Sequence, residues 1–219
     1  MDTLINSRTR VVEVAGSRVV CSSVGRCTLG RVAQVTGVDA VAAEIEQAVC
    51  DALDGLLRAS GAVQPPMVHM FSEGRVPVYV GCVSCRRFRA GEDAYRAVGK
   101  LGHLPGTVEA TRLLVTWEAQ DLNVALQLPV DPDGSALVVL DASLGGQVLR
   151  WYPLRLSRAR QGHPALIPGW GPVQRLTDPP LPHPVVRLLA VWRLARGGDG
   201  DAQARELEAE GYRISWYGR

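Results

Sequence analysis

Apolar positions along this chain change between a two-residue period and one near 3.6 residues, and the changes divide it into strands and helices. "RVVEVAGSRVVC" (10–21) reads as two short β runs around Ala15-Gly16-Ser17, a hairpin. Val38, Val41, Ile45, Val49, Leu53 and Leu56 then recur at steps of three and four, which predicts a long amphipathic helix. Thr36 with Asp39 forms a capping-box start for it, and Ser60-Gly61 a stop. Asp39, Glu44, Glu46, Asp51 and Asp54 fill its other side, and no basic residue follows until Arg58.

"MVHMFSEGRVPVYVGCVSC" (67–85) predicts a second hairpin, turning near Glu73-Gly74. "GEDAYRAVGKLG" (91–102) predicts a short helix, "TRLLVTWE" (111–118) a strand, and "AQDLNVALQL" (119–128) about two helical turns. "VDPDG" is a turn, and residues 137–156 form a third hairpin around Gly145-Gly146. Seven prolines between 164 and 184 then argue against regular structure and for a linker or ordered loop. Pro184 suits the first turn of a helix, "PVVRLLAVWRLARG", whose apolar residues nearly encircle it, as burial or a partner surface would require. A polar helix around "DAQARELEAE" and an alternating "YRISWYG" strand finish the chain.

Hairpins imply antiparallel pairing. The expected fold is therefore α+β: a mixed, mainly antiparallel sheet, one long amphipathic helix, and a small helical annex ending in a strand. The expected organisation is a core over 1–156, a proline-rich segment over 157–184, and a helix-helix-strand annex over 185–219.

Composition changes this picture little, but charge does. Apolar content of 47% and charge content of 21% suit a globular chain and exclude a disordered one. The net charge of +2 gives no argument for a polyanion partner from the total alone. Lys100 is the one lysine among 24 basic residues, so Schiff-base chemistry has a single candidate, at a helix end. Five cysteines, no basic-then-apolar leader and no long uncharged apolar run point to a reduced, cytoplasmic protein without a membrane span.

Three groups of residues carry candidate chemistry. Glu118 and Asp141 each end a β run and Asp121 follows the first. If those strands lay side by side and parallel, the acids would meet at one edge and hold Mg²⁺ or Mn²⁺ for phosphoryl transfer. "LDASLGG" (140–146) resembles, over these seven residues, the first strand of ribonuclease H-like domains, but fewer than 80 residues come after it. The competing reading makes Asp141 and Ser143 the start of a turn and Glu118 or Asp121 a helix cap.

Cys82-Val-Ser-Cys85 has the spacing of half a Zn²⁺ site or a redox pair, against a plain reading as two packed thiols. The third group is basic. From Gly145 to Thr177 the chain holds Arg150, Arg155, Arg158, Arg160 and Arg175 and no carboxylate, interleaved with Trp151, Tyr152 and Trp170. Arg86, Arg87 and Arg89 surround Phe88. Such a surface suits phosphate contact with base stacking, or an acidic protein partner. It also suits the acidic helix 39–54, in the same chain or a second subunit.

The histidines are scattered, and His69 alternates with Met67 and Phe71 as a core histidine would. There is no HExxH, GxSxG, Walker A loop or Glu-x-Lys. The function expected is that of a cytoplasmic binding or regulatory protein, self-associating through the helix from 184 to 197 and using the arginine-aromatic surface. The alternative is a metal-dependent hydrolase or nuclease using Glu118, Asp121 and Asp141.

Overall fold

Strands that must bury both faces read as unbroken apolar runs, and two such runs form the centre of this molecule. They are β6 (Arg112–Glu118) and β7 (Ala136–Ser143), joined by the short helix α4 (Ala119–Ala125). The computed structural model describes residues 10–14, 17–22, 26–29, 37–73, 78–131, 134–158 and 165–217. Around the central pair lie β4 (Met67–Ser72), β5 (Val78–Ser84), β8 (Gln147–Arg158), β9 (Leu166–Trp170), β10 (Gln174–Thr177) and β11 (Arg213–Trp216). Together they make an antiparallel sheet in the order β10-β8-β7-β6-β4-β5-β11, with β9 added along β8. The α+β expectation with a mainly antiparallel sheet is what the structure shows. The N-terminal hairpin, β1 (Arg10–Val14) and β2 (Ser17–Ser22), gains β3 (Arg26–Leu29) as a separate three-stranded meander.

Each face of the large sheet has its own cover. On one side lies α1 (Val38–Ser60), which ends at Gly61 in the left-handed conformation, φ 68°, as its Ser-Gly stop requires. Val38, Ala42, Ile45, Val49, Leu53 and Leu57 meet Met67, Phe71, Leu114, Leu137 and Val139 there. Asp39 belongs to no cap; its carboxylate turns to Arg112, and Thr36 lies outside the described residues. The opposite face is covered by α2 (Glu92–Lys100), α3 (His103–Thr107), α5 (His183–Leu194) and α6 (Gly200–Ala209). Trp192 of α5 is fully buried and donates from Nε1 to the Ala110 carbonyl at 2.8 Å.

Residues 185–217 therefore contribute to the main core. Val185, Leu188, Leu189, Leu207 and Tyr212 share one apolar cluster with Val115 and Leu140, and β11 pairs with β5. Burial in its own chain accounts for Val185, Leu188, Leu189 and Trp192 of α5, while Val186 and Leu194 stay exposed.

The described part of the proline-rich segment, residues 157–158 and 165–184, is also built into the fold. It carries β9 and β10, which run one after the other along the same edge of β8. Between the pairs Leu154↔Trp170 and Trp151↔Gln174, β8 advances three residues while the outer chain advances four. That extra residue is a bulge, and it sits beside Pro153, which has no N–H to give to the ladder. Pro168 is tolerated inside β9 because this is an edge strand, where the missing donor points away from β8. Residues 154–158 and 166–170 thus form a two-stranded arm that continues past the end of β7.

Candidate functional site

Asp141 is the third residue from the end of a buried strand, and neither a turn nor an open metal edge surrounds it. The turn belongs to Ser143, whose Oγ accepts from Gly145 and Gly146 N–H at 3.3 and 3.2 Å. Asp141 pairs with Leu114 on β6 and Val148 on β8, which places Arg112 and Arg150 on its two diagonals, on the face toward α1. Arg112 holds it by two parallel bonds, Nε–Oδ1 and Nη2–Oδ2, both 2.8 Å. Arg150 Nη2 approaches Oδ2 at 3.3 Å.

Helix α1 closes the network from above. Arg112 Nη1 donates to Asp39 at 2.6 Å, and Arg150 Nε donates to Glu46 at 2.6 Å. Tyr152 O–H also donates to Glu46. Glu46 is buried, so it does not lie on the outer acidic side where its charge alone would put it. Its place was readable from spacing, since it stands four residues after Ala42 and three before Val49, inside the buried stripe.

The electrostatics result from this geometry. The hydrogen bonds to Asp141 hold the Arg112 guanidinium far above its ordinary range. Burial works against the charge of Arg150, and Glu46 and Asp141 more than offset it. Burial, reinforced by the bond to Glu46, raises the Tyr152 phenol. Two arginines are shared among Asp39, Glu46 and Asp141 here, with Glu73 3.6 Å from Arg112. An open cleft of about 470 Å³ lies alongside, bounded by Asp39, Glu73, Arg112, Asp141, Thr177 and Asp178.

The three carboxylates expected to meet do not. β6 and β7 run antiparallel, so Glu118 lies opposite Leu137 while Asp141 lies opposite Leu114. Four residues of strand separate them, about 13 Å. Glu118 is consumed locally: it caps α4 by accepting from Asp121 N–H at 2.5 Å, and it takes the Ala136 N–H at 3.1 Å. Burial pushes the carboxyls of Glu118 and Asp121 up. The capping reading of these two residues describes their geometry, and parallel pairing, on which the acid cluster depended, is absent.

Cys82 and Cys85 are split between the two sides of the sheet. Cys82 joins the cluster under α1, and Cys85 joins the cluster under the other helices. Thiols three apart on an extended chain point to opposite faces, so the pair makes no half-site for Zn²⁺. Burial pushes Cys85 up to about 12. Among the described residues no group of three or more His, Cys, Asp or Glu is placed to hold a metal ion. His69 is fully buried, bonded through Nδ1 to the Tyr79 hydroxyl at 3.0 Å, and burial lowers its pKa to about 4.

The arginine-aromatic surface is divided as well. Trp151 packs against the helix-side core, and Tyr152 is committed to Glu46. Trp170 donates from Nε1 to Asp54 at 3.1 Å, and Arg150 lies inside the charge network. Arg86 pairs with Asp93, which leaves Arg87 and Arg89 exposed next to β5. They stand four strands away from β8, about 19 Å, and so belong to a different surface. What remains on the arm is Arg155 and Arg158, both exposed and without a carboxylate partner among the described residues, with Arg175 exposed on β10. Arg160 lies outside the described residues. Around these arginines Leu156, Ile167, Val173 and Leu176 are exposed.

Compared with known protein families, curated proteins and solved structures, the chain matches none. Among the described residues no helix is long and apolar enough to cross a membrane.

Proposed function

We propose that this chain is a non-catalytic binding protein of the cytoplasm that holds an acidic protein partner on the arm formed by β8 and β9 and on β10 beside it. The observation that carries the reading is the trio Arg155, Arg158 and Arg175, exposed within a stretch from Gly145 to Thr177 that contains no carboxylate; Arg158 and Arg175 lie on the sheet face of Arg150 and Arg155 on the other, so they flank this edge from both sides. Exposed apolar side chains between them supply area that a partner would dry, while the charges set orientation and encounter rate. A protein partner is favoured over nucleic acid because base stacking needs open aromatic faces. Trp151 and Tyr152 are packed and bonded inward, and Trp170, exposed but tied by its N–H to α1, leaves one ring where successive bases need several.

Cys50 and Cys85 form no disulfide, which suits a reducing compartment. The buried carboxylates support the non-catalytic half of the reading: Asp141 and Glu46 are held by arginine, and Glu118 by backbone N–H groups.

The test is fluorescence anisotropy with labelled poly-glutamate and labelled single-stranded DNA, each at two salt concentrations. The expected result is poly-glutamate binding that weakens as salt rises and drops at least tenfold in Arg155→Glu/Arg158→Glu. Absence of binding at low salt, or indifference to both salt and charge reversal, refutes the reading.

A further inference from the structure

The arm's neighbour β10 is exposed at all four residues and forms the outer edge of the large sheet. Its backbone phase can be read from the ladder. Asp178 N–H points back to the Gln147 carbonyl, and on the other side of β8 the Ser143–Gly146 and Ser135–Leu154 bonds fix the same alternation independently. In an antiparallel pair every second residue turns its N–H and C=O outward. With Thr177 opposite Val148 and Arg175 opposite Arg150, the outward residues are Arg175 and Thr177. On β9 the corresponding position is Pro168, which has no N–H to offer. Outward pairing is thus available on β10 and interrupted on β9.

We infer that the acidic partner docks as an extended segment that adds a strand to β10, pairing with the outward N–H and C=O groups of Arg175 and Thr177. This rests on the binding role proposed above and specifies the partner's conformation. Main-chain bonds supply affinity in such a complex, and side chains at every second position supply choice. Charge fixes the placement. Arg175, Arg155 and Arg158 lie toward the arm, whereas Asp178 lies at the other end of β10, next to the cleft with Asp39, Glu73 and Asp141. The acidic residues of the docked segment therefore lie on the β9 side of Thr177, and its apolar side chain meets the exposed Leu176.

The experiment uses the whole chain with two labelled peptides of equal charge, (Glu-Val)₅, which can form a strand, and (Glu-Pro)₅, which cannot. Anisotropy is expected to show (Glu-Val)₅ binding about tenfold or more tightly than (Glu-Pro)₅. Thr177→Pro removes one outward donor and no ladder bond; it is expected to abolish the preference without lowering Tm by more than a few degrees. Hydrogen exchange at Arg175 and Thr177 in the unaltered protein, slowed by (Glu-Val)₅, gives a readout independent of that variant. Equal binding of both peptides with no slowing overturns the strand docking while leaving the acidic-partner reading intact. Tighter binding of single-stranded DNA than of either peptide overturns it too, as does a dimer in sedimentation that Thr177→Pro dissolves and (Glu-Val)₅ does not. Failure of every anionic probe to bind sinks the underlying reading instead.

Discussion

Replacing Arg112 by methionine tests whether the charge network is a structural clamp between α1 and the sheet. The Arg112 and Asp141 side chains are only 14% and 15% exposed, so the pair is largely out of water. Removing one partner of a buried pair costs about 3–5 kcal/mol, because the remaining charge keeps its desolvation penalty. Arg150 stays at 3.3 Å from Asp141 and offsets part of that, which puts the expected loss for Arg112→Met near the lower figure, about 3 kcal/mol. Arg112→Met/Asp141→Leu deletes both charges and fills the site with apolar atoms, so most of the loss should return. Urea unfolding at constant slope measures all three variants, and the cycle with Asp141→Leu isolates the coupling. A single-variant loss below about 1 kcal/mol, or strict additivity in the cycle, would refute the clamp.

His69 makes the next prediction. Its native pKa of about 4 lies below the ordinary 6.5, so the unfolded chain binds a proton that the native chain refuses between those values. Stability should fall as pH drops through that window, by up to about 3 kcal/mol. Glu118 and Asp121, with raised native values, act with the opposite sign, so the comparison that matters is the flatter pH slope of His69→Gln. Gly81→Ala should loosen β11: φ is +148° there, and an added Cβ would fall 2.3 Å from the Ser215 carbonyl oxygen. A loss of about 2 kcal/mol or more is expected in urea unfolding, with faster hydrogen exchange along β11, and unchanged exchange there would contradict the close packing. In Glu118→Gln one of the two acceptor oxygens becomes an NH2 facing a backbone N–H, because Asp121 N–H bonds Oε2 and Ala136 N–H bonds Oε1, so a loss of about 1–3 kcal/mol is expected in urea unfolding. A much larger loss would show that the carboxylate charge itself is needed.

Most elements were legible because their signals are local. Apolar runs bounded by turn residues defined β4 to β8, the three-and-four spacing defined α1, and Gly61 ended it where the left-handed turn occurs. What escaped was set by tertiary contact. Helix α3 is five residues containing Pro105 and Gly106, too short and too poor in propensity to register. The prolines near 164–184 hid β9 and β10, because only the edge position of that chain makes proline harmless. The carboxylate cluster failed on a single fact that spacing cannot supply, the direction of β7 relative to β6.

The arginine surface illustrates the same limit from the other side. Acid-free sequence around Arg150 looked like an unneutralised ribbon, yet Glu46 comes from a helix 104 residues earlier in the chain. Arg112, the residue that binds most of the network, sits in a run that reads simply as a strand. Its signal was cross-strand, on the diagonal from Asp141, and needed the register to become visible. Arg155 and Arg158 kept their open position because β8 outruns β7.

The slip of one residue opposite Pro153 has a consequence for how this chain can vary in length. Between Trp170 and Gln174 the tolerance is nil, since one residue more or fewer would shift the frame of β10 and turn it inside out. Leu176 would then lie where Arg175 now lies, over the charged side, and the donors now offered to a visitor would be spent on β8.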